Sequence, residues 1–437
     1  MSELETETVI PVPAVEPGTA GPPCGYARLR GEQPVAKSRL PNGETAWLLS
    51  RYADVRAAFA DPRLIRPLLS AWPPREADAP PPCLPTFLEM TGEHHERVRR
   101  AVLPLFGRRR LEFMAPRIRA MAEELIDTMV AGAEDRTADL VAAYVEPLPL
   151  RVLCETVGLP YEDRDLYLPH TLTLLSAAGL SMEEVLAALY ALQDYASGLV
   201  SRREREAEAA EKAEAAEGAE ATEGAEATEG AEATERAGER GDGDYIGLLL
   251  TESRRPGSGV ARDDVISFIV TMLMAGYKTN IQHTGNALLS LLTHPEQLRA
   301  LRDEPEGIAP AVEELLRYVP LMNAINILVA REDFTLHGRH IRAGDAVVPV
   351  PASANRDPDA FRDPDRLDLT RTPNPHVAFG HGPHACTGGH LSRLQLATVI
   401  QVLLERLPAV QLAAPAASLP WDESTPLRAP ARLPVRW

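Results

Sequence analysis

AFGHGPHACTGG, residues 378–389, sets Cys386 among four glycines, two histidines and one phenylalanine. The chain of 437 residues holds only three other cysteines, Cys24, Cys83 and Cys154, and no CxxC pair. This spacing argues against a disulfide framework and a structural zinc site, and for a reducing compartment. A thiol in so flexible a loop is hard to bury and easy to oxidise, so its presence there suggests that it is bound to something. A thiolate acts as a nucleophile or as a metal ligand. A nucleophile needs a base, and His384 stands two residues away. Cys-His enzymes, however, usually draw their histidine from a distant part of the fold. The sequence that follows, GGHLSRLQLATVIQVLLERLP (388–408), predicts a long amphipathic helix beginning near Gly388. The N-terminus of such a helix stabilises a thiolate in either role. Gly380, Gly382 and Gly388 allow the backbone close to a large flat object.

Outward from this loop, composition bounds the rest. Hydrophobic residues make up 45% of the chain, enough for a sizeable core. No apolar run reaches the roughly 18 residues that span a bilayer, so no membrane association is expected. The N-terminus MSELETETVIPVPAVEPGTAGPP lacks the basic and apolar regions of a secretory signal, and a cytoplasmic protein is expected. The net charge is −18. Eleven glutamates and one lysine between Glu206 and Glu235 account for −10 of it, leaving an ordinary −8. No basic stretch is interleaved with aromatics, so no nucleic-acid partner is expected.

The segment AEGAEATEGAEATEGAEATER (216–236) repeats a six-residue unit. Its glutamate period of three drifts around a helix, glycine interrupts it, and it has almost nothing apolar to bury. It reads as a disordered or fraying surface insertion over about 206–241. Helical spacing of apolar residues marks 92–132, 263–295 and 307–320, the last stopped by Pro320. The middle of 263–295 is apolar on nearly every side, as befits a helix crossing the interior. Strand-like alternation is confined to short pieces at 44–51, 324–330, 334–352 and 433–437. The fold class is therefore mainly α with small β-sheets. Residues 1–24 are expected to be a flexible N-terminal segment and 25–437 a single domain.

The pattern Phe379-Gly380-x-Gly382-x-His384-x-Cys386-x-Gly388 resembles the haem-binding signature of the cytochrome P-450 family in its bacterial soluble form. Three further matches come in the right order. Glu314-Leu315-Leu316-Arg317 resembles the family's ExxR helix. Arg366 in FRDPDRLDL (361–369) resembles the arginine that completes its ion-pair network. Ala275-Gly276-x-x-Thr279 resembles the oxygen-activating kink of the long central helix. The resemblance covers about residues 25–437 apart from the glutamate repeat, and its style is that of actinobacterial enzymes of secondary metabolism.

The resemblance implies the cytochrome P-450 fold, with haem b between the central helix and the cysteine loop. Cys386 would be the proximal thiolate, which pushes electron density onto iron and favours O–O cleavage. Phe379 would pack against the sulfur side, and amides of the loop, which includes Gly380 and Gly388, would tune the sulfur. The haem propionates need cations. His95 and Arg99, four apart on one helix face, match the family's HxxxR pair. His384 matches a third donor. The fourth is normally an arginine opening the strand LVAREDF (328–334), but that position is Leu328. Arg331, three residues on, falls on the other face of a strand. Without haem, His94, His95, Arg97, Arg99 and Arg100 would read as a solvated basic face. Likewise, Glu314 and Arg317 alone would be a surface pair worth roughly a few tenths of a kcal/mol. The resemblance buries them with Arg366 as a structural set.

The implied activity is a haem-thiolate monooxygenase that binds O2 and takes two electrons singly from a ferredoxin, itself recharged by a ferredoxin reductase. It would insert one oxygen into a small hydrophobic or aromatic natural product. No nicotinamide or flavin fingerprint is present, so the electrons must come from partners. The arginines of FGRRRLEF (106–113) are candidate docking cations for an acidic ferredoxin. One alternative keeps the haem but couples carbon to carbon or oxygen; another is a non-catalytic homologue that activates a partner enzyme. The expected catalytic set is Ala275, Gly276, Lys278 and Thr279. Family members usually carry an acid before the threonine, where this chain has Lys278. Either Lys278 pairs with a nearby acid, or it lies beside haem and loses its charge by desolvation. The substrate pocket is expected to be lined from 68–90, 171–185, Met272–Gly276 and 320–328.

Overall fold

The computed structural model describes residues 9–14, 21–40, 43–67, 83–176, 180–221, 243–319, 321, 326–425 and 427–437, with the side chains of 214–221 excepted. Six short strands form the main sheet: β1 (Ile10–Pro11), β2 (Val35–Arg39), β3 (Thr45–Leu49), β4 (Leu64–Ile65), β5 (Leu328–Ala330) and β6 (Ala346–Pro349). Their order is β1-β2-β3-β6-β5-β4. β3 runs parallel to β6, with Ala46 beside Ala346. β5 is antiparallel to both β6 and β4. Both faces of β3 are covered. Ala46 and Leu48 join one apolar cluster with Tyr26 and Val348, whereas Trp47 and Leu49 join another with Val55 and Val347. This is the two-residue period of a strand buried on both sides.

β1 departs from expectation. Ile10 and Pro11 pair in parallel with Ser38 and Arg39, and Ile10 and Val12 pack on the core. Two apolar side chains thus tie down part of the segment expected to be flexible; residues 1–8 and 15–20 of it lie outside the described residues.

The helices that carry the site are α1 (Tyr52–Ala60), α2 (Gly92–Val102), α3 (Arg108–Gly132), α4 (Met182–Ala221), α5 (Arg262–Gly276), α6 (Lys278–Leu292), α7 (Ile308–Tyr318) and α8 (Gly389–Arg406). One large apolar cluster joins α2, α3 and α5 to α8. The stretch 92–132, expected as one helix, breaks at a 3₁₀ turn over Leu103–Phe106 and at Gly107, whose ψ of 161° is extended. Pro104 has no N–H to continue α2. α4 runs on to Ala221, so Glu206–Ala221 are helical where disorder was expected. Alanine and glutamate are strong helix formers and prolong the packed helix that precedes them. The remainder of the repeat, 222–242, lies outside the described residues. Among the described residues no helix is long and apolar enough to cross a membrane.

Candidate functional site

The cysteine loop is closed by its own backbone: the Cys386 N–H donates to the Phe379 carbonyl at 2.9 Å. Gly380 and Gly382 both have left-handed φ, +71° and +72°. A Cβ on Gly382 would stand 2.7 Å from the Phe59 carbonyl, so this glycine lets the loop sit on the end of α1. Gly388 differs. Its φ of −77° is ordinary, and an added Cβ would meet only Phe106 at 3.8 Å and the cysteine sulfur at 3.9 Å. No neighbour in the chain demands glycine there.

Cys386 precedes α8, and the backbone amides of Gly388 and Gly389 act on its sulfur. Burial pushes the thiol up, while these amides, Arg99 and Arg393 pull it down. The residue is nevertheless exposed. A metal bound to the sulfur would deprotonate it outright. Phe379 packs on Gly389, with the Arg393 guanidinium 4.7 Å above its ring.

α2 supplies anion donors to the same place. The rings of His95 and His384 stack with centroids 4.0 Å apart. Arg99 Nη2 donates to the Ala385 carbonyl at 2.8 Å, docking α2 on the cysteine loop. Burial lowers His95 to about 4, helped by Arg99, Arg66 and His94. Burial lowers His384 to about 3, helped by His95, Arg66 and Arg99. Each is a neutral imidazole with one N–H to give. Among the described residues no carboxylate pairs with His95, Arg99 or His384. Cationic and neutral donors gathered without an acid fit the two carboxylates of haem b, and the cysteine sulfur fits its iron. Of the rest of the α2 basic face, His94 Nε2 lies 2.6 Å from Asp264 Oδ1 and Arg97 Nε donates to the Gly259 carbonyl at 2.7 Å, whereas Arg100 is exposed.

The central helix breaks between α5 and α6. Residues Asp264–Met274 are all buried, whereas Ala275 and Gly276 are half-buried. At Tyr277 the backbone turns to φ −102°, ψ −75°. Two carbonyls are taken over by side chains: the Thr279 hydroxyl donates to Ala275, and Asn280 Nδ2 to Gly276 at 2.8 Å. A Cβ on Gly276 would stand 2.7 Å from Leu153 Cδ1, so a side chain here would have to displace that methyl. Asn280 Oδ1 in turn accepts the Ser392 hydroxyl of α8 at 2.6 Å, tying the kink to the cysteine helix. Lys278 is bound to Asp422 at 2.7 Å, the first of the two expected arrangements. Burial alone would raise the Asp422 carboxyl, but hydrogen bonds from Lys278 and Ser424 bring it below its usual range.

The ExxR helix corrects one assignment. Glu314 and Arg317 form a doubly hydrogen-bonded pair at 2.8 Å, with both side chains fully buried. The third member is Arg371, whose Nε lies 3.0 Å from Glu314 Oε2, and not Arg366. Arg366 is exposed and offers only its carbonyl to Arg317 Nη2, at 3.3 Å. A turn brings Arg371 round to Glu314: the Arg371 N–H donates to the Asp368 carbonyl at 3.0 Å, while Arg366 stays outside.

Residue-by-residue reading also missed Glu313. Its Oε1 accepts Arg393 Nε at 2.6 Å, and its Oε2 stands 3.0 Å from His376 Nε2. Burial opposes ionisation of Glu313, yet the His376 and Arg393 contacts hold it at about 2. Among the expected docking cations, Arg110 is buried and lies against the rings of Phe113 and Tyr245. Arg108 and Arg109 are exposed, with Arg108 paired to Glu112. Of the expected pocket walls, most of 68–90 and 320–328 and part of 171–185 lie outside the described residues; Met272 and Met274 are buried.

Fold and donor set together define a haem-binding oxidoreductase. The Cytochrome P-450 family model matches residues 81–410. The mycinamicin IV hydroxylase/epoxidase of Micromonospora griseorubida is 36% identical over 414 residues, 94% of each chain. The nocardicin C N-oxygenase of Nocardia uniformis subsp. tsuyamanensis is 35% identical over 417 residues, covering 94% of this chain and 95% of the relative. The crystal structure of the LnmA cytochrome P-450 hydroxylase from the leinamycin pathway of Streptomyces atroolivaceus superposes with a TM-score of 0.76 at 35% identity, covering 99% of both chains. The chain belongs to the cytochrome P-450 family: it is a monooxygenase, and haem is its cofactor.

Proposed function

We propose that this monooxygenase oxidises a hydrophobic natural product, with Cys386 as the proximal thiolate and His95, Arg99 and His384 holding the propionates. The observation that carries the assignment is Cys386 itself, exposed at the start of α8 with the Gly388 and Gly389 amides and Arg99 acting on its sulfur and no acid beside the His95, Arg99 and His384 donors among the described residues. Bound haem supplies the redox chemistry that activates O2. The chain's own residues do the rest. Gly388 and Gly389 disperse charge on the sulfur, as hydrogen bonds to a ligating atom do. Thr279, hydrogen-bonded to Ala275 at the kink, holds a hydroxyl proton where Ala275 and Gly276 open the helix face. Lys278 braces the kink through Asp422.

Electrons come singly from a ferredoxin recharged by a ferredoxin reductase, and the enzyme works in the cytoplasm. Exposed Arg100, Arg108 and Arg109 flank the 3₁₀ turn whose Phe106 reaches the cysteine loop, and they suit an acidic partner. The names of relatives acting on mycinamicin IV and nocardicin C support a natural-product substrate. The test of the ligand is the carbon monoxide difference spectrum of reduced enzyme. Wild type is expected to give the red-shifted band of thiolate-ligated haem. Cys386→Ser is expected to lose it while keeping its helical circular dichroism, because oxygen does not replace the sulfur donor. An unchanged band in the variant would remove Cys386 from the iron.

A further inference from the structure

Leu328 opens β5 where the family resemblance calls for a propionate-binding arginine. The strand beside it supplies a substitute. β4 and β5 pair antiparallel, with Leu64 opposite Ala330 and Ile65 opposite Val329. The next step along that register places Arg66 opposite Leu328. Directly opposed residues project from the same sheet face, with Cβ atoms about 5 Å apart. Arg66 thus starts from the position the missing arginine would occupy, displaced sideways by one strand.

Its charge arrives in the same place. Arg66 acts on both His95 and His384, the stacked imidazoles beside the cysteine loop. Its Nε is buried without a hydrogen-bond partner. Burial disfavours its charge, and no carboxylate is found to offset that cost among the described residues. A guanidinium remains protonated under such pressure, so Arg66 is a half-buried cation whose Nε–H is buried and unpaired. Leaving such a group unsatisfied is costly unless a ligand brings the acceptor.

We propose that Arg66 is the fourth propionate donor, transferred across the β4–β5 ladder from the position now held by Leu328. The inference rests on the haem assignment above. The test uses intact holoenzyme and two variants, Arg66→Leu and the double variant Arg66→Leu/Leu328→Arg. Haem transfer to excess apomyoglobin and the ferric/ferrous midpoint potential are measured. Arg66→Leu is expected to lose haem about tenfold faster, the effect of one charge-assisted hydrogen bond. Its midpoint is expected to fall, because removing a nearby cation favours the ferric state. Leu328→Arg is expected to restore both in the double variant. The melting temperature of apo Arg66→Leu is expected not to fall below the wild-type value, because without haem the variant loses only an unsatisfied cation; a merely structural Arg66 would lower it. If wild type shows the thiolate band and Arg66→Leu holds haem as tightly as wild type, this inference alone falls. A wild-type chain that takes up no haem overturns the underlying assignment as well.

Discussion

Two ion pairs brace the site from different sides, and they are built in opposite ways. In Glu314–Arg317 both side chains are fully buried, and every donor is used. Arg317 Nη1 donates to the carbonyls of Asn355 and Pro364, Nη2 to Glu314 and the Arg366 carbonyl, and Nε to Glu314. Glu314 also accepts from Arg371, Asn374 and the Asp368 N–H. In Lys278–Asp422 the side chains are 15% and 20% exposed, and the ammonium makes one carboxylate contact. A fully buried charge is tolerable only when its whole bonding capacity is met. A partly wet pair asks less and contributes less. The cysteine side of the site is therefore expected to be brittle and the kink side tolerant.

The largest effect tests the brittle side. Glu314→Ala leaves two arginines facing each other without their acid, and is expected to lose about 3–5 kcal/mol in chemical denaturation. A wild-type midpoint would break the contrast. Next comes the identity of the third member. Arg371→Leu is expected to cost about 3 kcal/mol, whereas exposed Arg366→Leu stays within about 0.5 kcal/mol of wild type. The reverse order would restore Arg366 to the network.

The third test is acid stability. Glu313 is more acidic folded than unfolded, so the unfolded chain binds more protons as pH falls. Its contribution is fully present above the ordinary glutamate range, near pH 4.5, and is lost as pH drops towards about 2. Glu313→Gln is expected to flatten that limb of a stability–pH curve and leave neutral pH less affected. An identical acid limb in the variant would show that the ion pair carries nothing. The smallest effect is on the tolerant side. Lys278→Met is expected to cost about 1 kcal/mol or less, with the same product formed. Loss of product at unchanged stability would assign Lys278 a part in the chemistry.

Much of this was legible in the sequence, for reasons that differ from place to place. The cysteine loop, the ExxR helix and the kink each compress their chemistry into ten residues or fewer, so their resemblance to family motifs was visible. The helical break at Gly107 was not visible, because apolar periodicity continues through it. Arg371 was overlooked in favour of Arg366, because the turn that brings it to Glu314, closed by its N–H on the Asp368 carbonyl, carries no motif. Glu313, Asp422 and Arg66 could not be recognised from local pattern at all. Each acts on a partner far away in the chain: His376, Lys278 and His95 respectively. Long-range pairs of ordinary residue types leave no local trace. The helical start of the glutamate repeat was obscured by the opposite problem, a low-complexity pattern attached to a well-packed helix.

The seating of Gly382 against the Phe59 carbonyl has a consequence for how the enzyme is made. The platform for the cysteine loop comes from the start of the chain, the donors His95 and Arg99 follow, and the kink emerges much later. Cys386 is the last of these to leave the ribosome. Domains assemble as they are synthesised, N-terminal parts first. Contacts between distant segments are also the slow ones to form, and Ala46 beside Ala346 is such a contact. A growing chain therefore has arms for the cofactor before it has the sulfur to keep it. Stable capture of haem belongs to the finished polypeptide, so a truncated product ending before α8 would release rather than sequester it.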